Sequence, residues 1–194
     1  MVSELQKSLE AQLEPYAAYL AGTLLTSILL VKGQAGPAEP MGMPFSGADA
    51  QALEKALVAL GWPINAWCGV LCAPGVSGRR GTAANERASE GASTVTSEGA
   101  PLALSPNDLR LICEIVDPLV VVALDEQARR LLIDAFIQAE SGFLADFTPG
   151  AQTMVLGRRF VSVDGFEAAL DNADTKQRVW AQLKHAAWST PVNV

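Results

Sequence analysis

The residues able to do chemistry are few, and most gather in one stretch. "VKGQAGPAEPMGMPFSG", positions 31 to 47, packs four Gly, three Pro and one acid, Glu39, into a span that no regular helix tolerates. Glu39 and Asp49 at the following helix start are candidate acids, each with a plainer reading as a cap or a solvated charge. Phe45, on a loop between glycines, could stack on a flat ligand such as a base; the plainer reading has it plugging the loop onto the core. Asp164 is a further carboxylate at a strand end, although Asp164-Gly165 is first a turn signal.

Other chemistries lack their parts. The chain has a single histidine, His185, late in the terminal helix, where capping or solvation is the default role. A His-centred metal site and a serine or cysteine triad both fail for want of a second imidazole, and no GxSxG elbow is present. Neither GxGxxG nor GxxxxGK[ST] occurs, so nucleotide phosphates have no standard cradle. Cys68, Cys72 and Cys113 contain no CxxC and give no disulfide framework or complete zinc set. Cys68 and Cys72 could share a helix face or a turn, or be plain buried thiols, and this usage points to a cytoplasmic protein.

The elements that would position these residues alternate helix and strand. Residues 3 to 21 read as a helix with Leu5, Leu9, Leu13, Ala17 and Leu20 at helical spacing and a kink at Pro15. "SILLVK" (27 to 32) reads as a buried parallel strand, followed by the Gly/Pro loop and a helix over 49 to 61. A second strand is expected within 64 to 71, ending at Cys72. A serine-capped helix follows over 105 to 118, then the strand "LVVVAL" (119 to 124) and a helix over 125 to 137. Strands over 152 to 156 and 158 to 163 and a helix over 174 to 188 complete the chain. The expectation is one α/β domain over 1–194, a three-layer α/β/α sandwich with a mostly parallel sheet, carrying an N-terminal helical segment (1–24) and a flexible insertion (75–104).

With 14 basic residues against 21 acidic ones, a formal charge of -7 argues against tight DNA binding by this chain alone. A basic patch is not excluded by it; Arg79-Arg80, Arg129-Arg130 and Arg158-Arg159 are the adjacent pairs. The apolar run 19 to 31 is too short to span a bilayer, and no basic leader precedes it, so no membrane association is expected.

The order of segments resembles the uracil-DNA glycosylase superfamily, its bacterial thermostable branch in particular. "LLVKGQAG" and "GMPFSG" look like that branch's Gly-Glu-Ala-Pro-Gly loop and its Gly-x-Pro-Phe-x-Gly segment, with Gly42, Pro44, Phe45 and Gly47 matching. In "INAWCGVLCAP", Cys72 and Pro74 match the next family strand. The departures fall on the chemistry. Gln34 replaces the loop acid, Cys68 stands where the family has Asn, and "VSVDG" (161 to 165) has no His where the family has His-Pro-Ser. Only Cys72 remains of four iron–sulfur ligands, so neither cofactor nor metal is implied.

The tail "FVSVDGFEAALDNADTKQRVWAQLKHA" is similar to that of the psi subunit of the bacterial DNA polymerase III clamp loader, a glycosylase-like fold without glycosylase chemistry. Together the resemblances imply a non-catalytic protein of DNA replication or repair that works by protein–protein contact, clamp-loader subunits being the specific partners and DNA contact weak or indirect. Leu9, Leu13, Tyr16, Trp180 and Trp188 are then candidate partner residues, though each could equally be core. The alternative is an active or altered base-excision glycosylase, with Gln34, Phe45, Asn65 and Cys68 around the base and Gln34, Glu39 and Asp164 as the catalytic candidates.

Overall fold

A computed structural model describes residues 3–36, 39, 43–63, 66–73, 103–136 and 147–187. The chain opens with helix α1 (Glu4–Leu13), capped by the Ser3 hydroxyl, which accepts from the Gln6 amide. Pro15 cannot continue the α-helical bonding, so the chain tightens into a 3₁₀ turn (Glu14–Tyr19). The single helix expected over 3–21 is thereby broken, and Leu20–Gly22 form a short strand, β1. Gly22 lies at φ +82 with Trp67 O where a Cβ would stand, so only glycine allows this approach.

Strand β2 (Ile28–Gln34) is buried up to its last residue, and helix α2 (Ala48–Ala59) follows the loop. Strand β3 (Cys68–Ala73) begins four residues later than the sequence pattern suggests. Helix α3 (Pro106–Val116) has a complete capping box between Ser105 and Asp108. After it come strand β4 (Val120–Ala123), helix α4 (Glu126–Phe136) and a hairpin of β5 (Gln152–Val155) and β6 (Arg158–Ser162). A short helix α5 (Phe166–Ala169), not anticipated from the sequence, precedes the long helix α6 (Ala173–Ala187).

The six strands run in the order β1-β3-β2-β4-β6-β5. The four inner strands are parallel, and the two edges pair antiparallel. The central strands β2 and β4, buried on both faces, carry the runs Ile28–Val31 and Val120–Ala123, which is why their burial shows no alternation there. One face, carrying Leu29, Val31 and Val121, packs against α1, α3 and α4. The other, carrying Leu30, Val122 and Val161, packs against α2, α5 and α6. The expected helix–sheet–helix layering is present.

Of the insertion expected over 75–104, residues 75–102 lie outside the described residues. Its last residue, Leu104, is buried, and its amide donates to Cys72 O at 2.8 Å.

From β2 the chain first crosses to β3 on one side and later to β4 on the other. The carboxyl ends of β2 and β4 therefore flank a switch point, where open parallel sheets form their crevice.

Candidate functional site

Successive residues of a strand face opposite sides of the sheet, and the end of β2 uses this twice. Lys32 falls on the α2 side, where its ammonium meets Glu39 Oε2 at 2.7 Å, Asp49 Oδ2 at 2.5 Å and Glu167 Oε2 at 3.3 Å. Its side chain is only 4% exposed. Gly33 falls on the α4 side, and its amide donates to Asp125 Oδ2 at 2.7 Å while Asp125 Oδ1 caps the Ala128 amide. A Cβ on Gly33 would stand 2.5 Å from that carboxylate and 2.8 Å from the Ala128 nitrogen, so the start of α4 could not seat against β2.

Glu39 is the hub of the loop. Its carboxylate accepts from Lys32, from the Gly36 amide at 2.7 Å and from the Phe45 amide. Neither solvation nor helix capping describes it. Asp49 likewise does not cap α2, whose N-cap Gly47 has no side-chain bond; its carboxylate is drawn to Lys32. Burial disfavours the Lys32 charge, but the hydrogen bonds it donates to Asp49 and Glu39 outweigh it and raise the pKa above the usual lysine value, so the ammonium stays charged.

Above this cluster lies an open crevice of about 450 Å³, lined among others by Lys32, Gln34, Asp49, Asp125, Gln127 and Glu167. It occupies the switch point. Four carboxylates line it, those of Asp49, Asp125, Glu126 and Glu167, with Lys32 as the one basic residue of the lining; Asp49 and Glu167 pair with that ammonium, and Glu126 pairs with Arg129 and Arg130. Such a lining disfavours a phosphate backbone.

The sequence candidates distribute unevenly around it. Gln34 lines the crevice from the exposed end of β2, with an amide where the resemblance puts an acid. Phe45 does not reach the crevice as a stacking platform. It is 7% exposed, its ring lies 5.6 Å from that of Trp67, and a Cβ on Gly69 would come within 2.6 Å of it. Its backbone sits at φ +58, a costly conformation for a bulky residue that this packing holds in place.

Cys68 packs into the opposite face of the sheet from Phe45, so the two cannot line one base pocket. Asp164 pairs with Arg178 at 3.0 Å in the open and stands outside the crevice lining. Asn65 and Trp188 lie outside the described residues.

Desolvation pushes the Cys68 and Cys113 thiols up to about 12, and burial raises Cys72 as well, so none supplies a thiolate near neutral pH. Among the described residues, no group of three or more His, Cys, Asp or Glu is arranged to hold a metal, and no helix is long and apolar enough to cross a membrane.

Of the candidate partner residues, Leu13 is 1% exposed and part of the core, so its side chain is not offered to a partner. Tyr16 is half-buried and donates to Asp108 Oδ1 at 2.9 Å, tying the first segment to α3. Leu9 is half-buried on α1. Trp180 is half-buried on α6 and lines a groove toward α2.

Lys32 and Glu167 were missed by sequence reasoning. A lysine closing the run "ILLVK" was a signal: a charge at the end of a buried strand needs a partner. Glu167 gave no signal, because only the turn at Gly165 and the short helix α5 bring it to Gly36.

Neither a scan against protein-family models nor a comparison with curated proteins finds a match for this chain.

Proposed function

We propose that this chain is a non-catalytic protein of glycosylase-like fold that works by protein–protein contact in DNA replication or repair, a psi-like clamp-loader subunit being the specific form. The assignment to replication or repair rests on the resemblance of the loop and tail segments. The observation that carries the non-catalytic reading is the buried Lys32 cluster. Glu39 and Asp49, the carboxylates nearest the loop, are bound by an ammonium and by backbone amides, and Gln34 offers an amide in place of an acid. An amide cannot take a proton from water near neutral pH, and a carboxylate holding a buried ammonium is committed to structure.

The acidic crevice agrees with weak or indirect DNA contact, and three free thiols suit a cytoplasmic setting. One observation favours the alternative glycosylase reading: the crevice is open, with Gln34 at its wall and Glu167 only half-buried.

The test is uracil release from single-stranded and mismatched DNA by the purified protein and its Gln34→Ala variant, with an active glycosylase in parallel. Binding to purified clamp-loader subunits is measured by calorimetry alongside. No release together with subunit binding is expected. Release that disappears in Gln34→Ala would overturn the non-catalytic reading.

A further inference from the structure

The sheet face built on Leu30, Val122 and Val161 is covered by α2 and α6, and the two helices leave a groove of about 700 Å³ between them. Small side chains hollow it out: Ala52 and Ala56 on α2, Ala169 on α5 and Ala173 at the start of α6. Its apolar depth comes from Phe166, Leu170, Val179 and Leu183, and Trp180 forms part of one wall.

The charges around it are unlike those of the rest of the chain. Lys55 and Lys176 line the groove, and Lys184 stands 5.6 Å from the Trp180 ring, against one carboxylate, Asp171. Two of the five lysines in a protein of net charge -7 thus line one apolar hollow, and a third, Lys184, lies over the outer Trp180 ring. The four carboxylates of the crevice lie at the switch point and not here.

We propose that this groove docks an amphipathic helix with acidic flanks, contributed by the partner protein. The inference rests on the protein-contact reading above and names its surface and the partner's chemistry. A helix fits because the groove runs between two helices and offers no free strand edge, the sheet ending at β1 and β5. Apolar side chains repeating at i, i+3, i+4 and i+7 would fill the alanine-lined hollow, Trp180 would anchor the contact, and flanking carboxylates would meet Lys55, Lys176 and Lys184.

The experiment uses the full chain and two fluorescent peptides, helices of Leu and Glu or of Leu and Lys with Leu at helical spacing, read by anisotropy. The Leu/Glu peptide is expected to bind and the Leu/Lys peptide not to. Ala56→Arg, which fills the hollow from a half-exposed position, should weaken binding at least about tenfold, and Lys55→Glu with Lys176→Glu should reverse the preference between peptides. Circular dichroism confirms that each variant is folded.

Equal binding of both peptides, no binding of either, or displacement by a single-stranded oligonucleotide would overturn the proposal. Binding seen only after removal of residues 188–194 would also overturn it, assigning the groove to the chain's own tail. If a clamp-loader subunit binds and both sets of variants leave that affinity unchanged, the groove assignment fails while the protein-contact reading stands. If no subunit binds and uracil is released, that reading fails.

Discussion

Lys32 ties the Gly/Pro loop to the end of β2 through Glu39. A lone ammonium buried to this depth would lose its proton; here Glu39, Asp49 and Glu167 keep it charged and are held by it in turn. Lys32→Met keeps most of the stem and deletes the charge, leaving Glu39, 1% exposed, without its counter-ion. Removing one partner of a buried ion pair costs about 3–5 kcal/mol, so the urea midpoint should fall by a corresponding amount. Adding Glu39→Gln to Lys32→Met should restore part of that loss. A fall of only a few tenths of a kcal/mol would show the cluster to be solvated, and the argument that its carboxylates are committed to structure would fail with it.

Among the elements, the β5–β6 hairpin departs furthest from local preference. Val155 faces Arg158 across the strand pair, so Leu156 and Gly157 form a two-residue loop, with φ of +50 and +79. Loops of this hand favour Asn-Gly, and a leucine there carries a left-handed backbone cost of about 1–2 kcal/mol. Leu156 is 47% exposed, so little packing offsets that cost. Leu156→Asn is expected to stabilise the protein by about 0.5–1 kcal/mol, visible as a rise of a few degrees in Tm. A lower Tm would mean that the leucine makes a contact worth more than its backbone strain. Phe45 is the opposite case, since its positive φ is held by the ring's seat over Gly69 and against Trp67.

At the scale of the whole molecule, the titrating groups of the core share one direction. Burial raises Cys68 and Cys113 from 9.0 to about 12 and raises Cys72, and the acid partners of Lys32 raise it above 10.5. In each case the folded state keeps a proton that the unfolded state has begun to release. Stability from these groups is therefore fully present below the unfolded pKa and lost as pH rises toward the folded one. Urea midpoints should be insensitive to the thiols at pH 7 and fall steadily above pH 9, with a shallower fall in a Cys68→Ala, Cys113→Ala variant. An equal slope in that variant would show the thiols to be solvated.

Much of the architecture was legible because parallel strands buried on both faces are written as unbroken apolar runs, and "ILLV" and "VVVA" could be little else. The Ser105 cap was a local signal and kept its meaning. Residues 20–22, by contrast, continue a helical pattern and become an edge strand, because Pro15 broke the helix and β3 offered an open edge. The site divides along the same line. Sequence by itself determined that a glycine-rich stretch follows the first long strand and that Gln34 stands where the two join. Tertiary structure decided that Glu39 and Asp49 converge on Lys32, that Phe45 belongs to the core, and that Cys68 lies beyond the sheet from it. Local pattern sets which face of a strand or helix a residue occupies, whereas the meeting of β2, the loop, α2 and α5 at one point is fixed only when the chain closes on itself.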